Sequence, residues 1–138
     1  MTSEFAIATH ALVVLSHRKT VVSSDVLAEN ICTNPTRVRK VLSRLKKAGL
    51  VETKEGAEGG YLLVVPAGQI NLRTVADTLE VAFVTSSWKS GNPEMSCMIS
   101  SGMAGVLDGL YADLDRNCRE QMEHVTIADL ENRIFKTA

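Results

Sequence analysis

The dipeptide Asn34-Pro35 is the strongest local constraint in this chain. Proline fixes its own φ and has no backbone N–H, so a helix tolerates it only in the first turn. An asparagine just before it offers a side-chain oxygen to cap that turn. A helix is therefore expected to begin at Pro35. Val38, Val41, Leu42, Leu45 and Ala48 then recur at helical spacing and read as its inward face. Gly49, after Lys46-Lys47-Ala48, reads as the left-handed residue that ends it.

The flanking segments give this helix a context. Ser3 as N-cap, Phe5, Ala8, Leu12 and Leu15 at helical spacing, and His17-Arg18-Lys19 at the negative dipole end predict a first helix over about 3–17. Ser23-Ser24-Asp25 starts a short second helix, interrupted near Asn30 and Cys32-Thr33. After Gly49 the period changes to strands over 50–54 and 61–65, joined by the turn Glu55-Gly56-Ala57-Glu58-Gly59-Gly60 and stopped by Pro66. Asn71 caps a predicted helix over about 72–82. A polar loop follows over 85–96, then a long helix over about 97–122 and a short one from Thr126, with Asp129 three residues on.

This order predicts a mainly α fold with a β-hairpin wing: a winged helix-turn-helix over residues 1–66, then a helical effector and dimerisation region over 67–138. A chain of 138 residues is about one domain's worth and can bury a core without disulfides. No apolar run approaches the ~20 residues of a membrane helix. The first fifteen residues lack the basic start and cleavage site of a signal peptide, so the expected compartment is the cytoplasm.

The formal net charge of −1 hides an asymmetry. Residues 1–54 carry nine Lys/Arg against four Asp/Glu, and the remainder six against twelve. Within 34–54 there are seven basic residues and one acid, Glu52, a local polyanion site rather than a generally basic protein. Arg37, Lys40, Arg44 and Lys47, stepping by three, four and three, read as a cationic ridge on the helix after Pro35. A helix fits the major groove of B-form DNA with its N-terminal residues nearest the base edges. Thr36, Arg37 and Lys40 are thus the expected base readers. Asn34, Arg44, Lys46, Lys47 and Lys54, with the hairpin glycines Gly59 and Gly60, are the expected phosphate contacts. Glu55 and Glu58 in the same loop oppose such a contact. The alternative is a dimeric module using the same basic helix to grip a protein or RNA. No Ser/His/Asp set or nucleotide-binding glycine fingerprint points to an enzyme: Gly56, Gly59 and Gly60 lead into a strand, not a helix.

Met103, Leu107, Leu110 and Leu114 repeat at four, three and four on the long helix, with Cys118 four beyond. This heptad-like stripe, opposite Asp108, Asp113 and Asp115, predicts a homodimer interface; packing against the chain's own first helix is the alternative.

The run Cys32-Thr33-Asn34-Pro35-Thr36-Arg37-Val38-Arg39-Lys40-Val41-Leu42, then Leu45-Lys46-Lys47-Ala48-Gly49-Leu50-Val51, then Gly59-Gly60-Tyr61-Leu62-Leu63, resembles the bacterial Rrf-two regulators. The resemblance spans nearly the whole chain. It implies a dimeric winged-helix transcription factor, usually a repressor, on a palindromic DNA site. Cluster-bearing members carry three closely spaced cysteines before the long helix. Here residues 92–107 hold only Cys97, with Cys32 and Cys118 far away in sequence, so no iron–sulfur cluster and no other metal is expected. His10, His17 and His124 show no metal-ligand spacing. The resemblance also implies that members without a cluster can sense oxidants through thiols. Cys32 and Cys97, each ahead of a helix N-terminus that favours thiolate, are the candidates. Proximity of Cys32 to Cys97 across a dimer would allow a disulfide. Equally, Cys32 reads as a small buried filler, Cys97 as an idle loop thiol and Cys118 as packing.

Overall fold

The computed structural model describes residues 2–136. Six helices and one hairpin follow in order: α1 (Thr2–Arg18), α2 (Ser24–Ile31), α3 (Pro35–Lys47), β1 (Val51–Lys54), β2 (Gly60–Leu63), α4 (Leu72–Leu79), α5 (Met98–Met122) and α6 (Ile127–Lys136). A 3₁₀ turn over Ala67–Gln69 precedes α4.

Local chemistry accounts for the boundaries. The Ser23 hydroxyl accepts from the Val26 amide at 3.1 Å and opens α2. Cys32, left-handed at φ 67°, closes it. The Asn34 side chain accepts from the Arg37 amide at 2.8 Å, with Pro35 in the first turn of α3. Only residues 32–34 separate α2 from α3, which makes the tight turn of a helix-turn-helix. Gly49, at φ 80°, turns the chain out of α3 and lets Leu50 and Val51 drop into the core. This is why Ala48, predicted inward, is exposed: the helix has ended, and Leu50 takes that role. Similarly, α4 stops at Leu79 rather than near 82, because Glu80 adopts φ 54° and Val81 turns inward.

The hairpin is antiparallel, with Val51 opposite Leu63 and Lys54 opposite Gly60. Val22 adds a bridge on its outer edge: the Val22 amide donates to Tyr61 at 2.9 Å, and the Tyr61 amide donates to Val22 at 2.8 Å. The wing is thus pinned to the residues that open the helix-turn-helix.

One apolar core runs through both halves of the chain. It joins Ala8, Ala11, Leu12 and Leu15 of α1, Leu27 of α2, and Val38, Val41, Leu42 and Leu45 of α3 to Ile70, Val75, Leu79, Val81 and Ile127. The boundary expected near residue 66 does not divide this core. Leu12, Leu27, Leu42 and Leu45 are fully buried, each worth about 1.5–3 kcal/mol over an exposed side chain. The Thr126 amide donates to Asp129 and the Asp129 amide to Thr126, a reciprocal cap that starts α6. Helix α6 then packs on α1.

Helix α5 differs from the rest. It has no buried residue among its 25 and rests on α4 within its own chain. Among the described residues, no helix is long and apolar enough to cross a membrane.

Candidate nucleic-acid interface

The predicted ridge on α3 splits into two rows. At about 100° per residue, Arg37 and Arg44 lie about 40° and 60° round the helix from buried Val41, whereas Lys40 and Lys47 lie about 100° and 120° away. The first row leans onto α1. Arg37 donates to the Ser3 hydroxyl at 2.5 Å. Arg44 is half-buried, donates to the Leu79 carbonyl at 3.1 Å, and lies 3.7 Å from the Glu4 carboxylate and 4.0 Å from that of Glu80. Arg44, expected on phosphate, is thus paired within its own chain while about a third of its side chain stays exposed. Arg37 is exposed, and among the described residues its side chain has only a neutral hydroxyl as partner, so releasing it costs little.

The second row is free. Lys40 and Lys47 are exposed, and among the described residues neither has a hydrogen-bond or ion-pair partner. Exposed Thr36 and Ser43 share their face. The opposite face is closed by Val38, Val41, Leu42 and Leu45, all at 1% exposure or less. One side of α3 is therefore fixed by packing, and the other presents two ammonium groups and two hydroxyls to solvent.

Two residues outside the predicted set border this face. Ser43 is one. Arg39 is the other, held only by hydroxyls, those of Ser24 at 3.3 Å and Thr36 at 3.2 Å. Arg39 also lies close enough to the wing to act on Tyr61: burial pushes that phenol up, and the Arg39 charge works against the rise. Its position was legible from the seven-residue basic count. Ser43 carries no sequence signal beyond its outward register.

The remaining expected phosphate contacts separate by geometry. Lys46 donates to the Thr53 hydroxyl at 2.9 Å and lies on the wing side. Lys54 is exposed at the end of β1. The Asn34 carboxamide oxygen is occupied as the α3 cap. Gly59 and Gly60 have structural reasons to be glycine: a Cβ on Gly59 would meet the Lys54 carbonyl at 2.3 Å, and one on Gly60 would meet that of Val22 at 2.3 Å. Main chain, not phosphate, occupies the space that their missing side chains leave.

On α5, Met103, Leu110 and Leu114 are exposed as the stripe requires, at 38%, 50% and 43%. Leu107 is not on that outer line. It is half-buried and lines a small cavity with Trp88, Lys89 and Tyr111 under the preceding loop. The outer line runs instead through Ile99, Met103, Val106, Leu110 and Leu114, which adds Ile99 and Val106 to the predicted set. Of the three acids expected opposite the stripe, Asp113 instead borders the outer line, seven residues on from Val106. Asp108 binds Lys89 at 2.5 Å and Asp113 binds Arg116 at 3.0 Å, but Asp115 turns inward. A second apolar surface is the groove between α1 and α6, about 730 Å³, lined by Phe5, Val13, Val14, Leu130, Ile134 and Phe135. His10 and His17 line it as well; His10 contacts Asn30 at 2.7 Å and His17 stacks on Phe135.

The cysteines do not converge along the chain. Cys97 caps α5 and Cys118 lies 21 residues on, about 31 Å along the helix axis. Cys32 closes α2, and its thiol donates to the Glu29 carbonyl at 3.6 Å. It is exposed rather than a buried filler, and its thiol is turned to the carbonyl end of α2, not the amide end of α3. Cys97 is exposed at the N-cap position of α5 and its side chain makes no cap hydrogen bond there; the nearby backbone amides of Ser100 and Ile99 still lower its thiol below the usual range, against an opposing effect of burial. Among the described residues, no three His, Cys, Asp or Glu side chains could hold a metal ion, so one chain's residues do not fit an iron–sulfur cluster.

Comparison with known proteins gives a consistent picture. Residues 1–133 match the Rrf2 family, described as an iron-dependent transcriptional regulator. YwnA of Bacillus subtilis strain 168, which carries the name of an HTH-type transcriptional regulator, is 27% identical over 136 residues, covering 96% of this chain and 98% of that protein. A crystal structure described as that of a transcriptional regulator from Lactobacillus plantarum superposes with a TM-score of 0.80 at 28% identity, covering 97% of this chain and 91% of that one. The structure of CymR, the global cysteine regulator of B. subtilis, shares the fold with a TM-score of 0.70 at 18% identity over 96% of each chain.

Proposed function

Since the chain belongs to the Rrf2 family of DNA-binding transcriptional regulators, we propose that it binds a two-fold symmetric site in duplex DNA as a homodimer and represses transcription there. The observation that carries this reading is the outward row of α3. Thr36, Lys40, Ser43 and Lys47 face solvent on a helix whose other face is locked in the core, beside a wing pinned to the same unit. Thr36, Lys40 and Arg37 at the N-terminal half are the base readers; Ser43 lies next to them. Lys47, Lys46, Lys54 and Arg39 are the phosphate contacts.

The homodimer is supported by two uncovered apolar surfaces, the outer line of α5 and the α1/α6 groove. A second copy would cover surface that this chain leaves in water. Two-fold symmetry then sets two recognition helices about one DNA turn apart, ~34 Å. The regulator works without an iron–sulfur cluster, because its cysteines lack the required spacing. If it senses oxidants, Cys97 is the stronger thiol candidate, since it is exposed at the N-cap position of α5, where the neighbouring amides favour thiolate.

The test is selection of bound sequences from a random duplex pool, with and without reductant. A palindromic consensus is expected, and no enrichment would overturn the reading. On the selected duplex, Arg37→Ala with Lys40→Ala abolishes binding while the dimer persists. Lys47→Ala lowers the slope of log affinity against log salt by about one phosphate contact. An equal response of Cys97→Ser and the native protein to diamide would remove Cys97 as a sensor.

A further inference from the structure

Arg44 and Arg119, from two different helices, both donate to carbonyls of the same short stretch of backbone. Arg44, on the recognition helix, donates to the Leu79 carbonyl at 3.1 Å. Arg119, on α5, donates to the Val81 carbonyl two residues later. Its other nitrogens reach the Asp77 carboxylate on α4 and, at 3.1 Å, Asp115 on α5. The second oxygen of Asp115 accepts the amides of Phe83 at 2.7 Å and Val84 at 2.9 Å. Phe83 meets Phe5 of α1 edge-on, with ring centroids 5.1 Å apart. Residues 79–84 are thus gripped by α5 as well as by α3 and α1.

We propose that Asp115 and Arg119 are positioning residues for DNA recognition, fixing the angle between α5 and the recognition helix through this shared grip on residues 79–84. The proposal rests on the homodimer reading above, because only in a dimer does that angle set the separation of two recognition helices.

Three observations favour a geometric role over an ordinary surface ion pair. Arg119 and Asp115 are the most enclosed charged pair among the described salt bridges, at 18% and 16% side-chain exposure. Exposed pairs such as Arg116–Asp113 contribute little and hold no fixed geometry. Second, Arg119 uses all three nitrogens on three acceptors from different segments, holding them in the plane of one rigid fork that the single nitrogen of an ammonium does not reproduce. Third, the grip lies near one end of a long lever. Ile99 is 20 residues from Arg119, about 30 Å along the helix. A change of about 10° at the grip therefore displaces the far end of the outer line by about 5 Å, more than the ~3.4 Å rise of one DNA base pair.

The experiment uses the full chain and the duplex recovered by selection with native protein, in versions with the spacer between half-sites changed by one or two base pairs, plus a single half-site duplex. Arg119→Met is expected to dimerise by sedimentation, to bind the single half-site within about twofold of native, and to lose about tenfold or more of its preference for the native spacing. Arg119→Lys should recover only part of that preference. Asp115→Asn keeps an acceptor for the Phe83 and Val84 amides but drops the charge facing Arg119; it carries the test if Arg119→Met fails to fold or dimerise, with a broadened spacing preference expected. Native spacing preference in the folded variants would overturn the proposal, as would half-site binding that falls in step with binding to the full site. Absence of any spacing preference in the native protein would overturn the homodimer reading and this proposal with it. A native preference that the variants retain would overturn this proposal alone.

Discussion

Helices α3 and α5 are both amphipathic, yet they end up in opposite situations. The apolar face of α3 is wholly buried within its own chain, and what it offers to solvent is cationic and polar. The outward line of α5 is apolar, from Ile99 at 71% exposure through Val106 at 70%. The first helix is finished by the fold and presents its chemistry outward. The second is unfinished, and its apolar line is covered only when something else arrives. The same periodicity therefore means core in one place and interface in the other, and the difference lies in whether the chain has another layer to put against it.

The largest effect should come from breaking the α5 side. Val106→Asp with Leu110→Asp touches no buried residue, so the fold should persist by circular dichroism while sedimentation shows a monomer. Binding to a full palindromic duplex should then fall about a hundredfold or more. An intact dimer would mean that α5 is not the interface. The matching change on α3, Leu42→Ala, should act on stability instead, lowering the urea unfolding free energy by about 2–5 kcal/mol. A loss of oligomeric state without a loss of stability would break the contrast between the helices.

The smallest effect concerns the link between the two. Burial works to raise the Asp115 carboxyl, but the Val84 and Phe83 amides and the Arg119 guanidinium outweigh it and hold the group below the usual carboxylate range. The charged groups facing it are Arg119 and, through Arg119, Asp77, which Arg73 also approaches. A depressed folded value means stability fully present above the unfolded value of about 3.9 and lost as pH falls through the lower folded value. Asp115→Asn mimics the protonated state. The urea midpoints of native and variant should thus differ at pH 7 and converge well below pH 4. A constant gap across that range would mean that the Asp115 charge contributes nothing.

Most of the architecture was legible because its signals are local. Asn34-Pro35, Gly49, Ser23 and Asn71 each fix a boundary through a cap or a backbone preference that needs no tertiary knowledge. The long helix was legible from spacing, and so were Met103, Leu110 and Leu114 of its exposed line. What the sequence hid depends on neighbours far along the chain. The ridge of four cations was real as a pattern, but Arg44 meets Glu4, Leu79 and Glu80, which come together only in three dimensions. Leu107 keeps the heptad spacing yet falls under residues 86–90, which no periodicity announces. Cys32 precedes α3 in sequence but belongs structurally to the end of α2, a distinction carried by one left-handed residue. Asp115 reads as one acid among several, and its inward turn is set by two amides about thirty positions earlier.

The tie between Val22 and Tyr61 divides the hairpin into two parts with different evolutionary latitude. Residue 60 is closed to anything larger than glycine, because the Val22 carbonyl already occupies the place of a Cβ. Residues 55–58 lie beyond that tie and are exposed. Insertions or charge changes there would alter the charge and reach of the tip without disturbing how the hairpin is seated. Relatives of this protein should accordingly diversify at the tip and keep its root constant.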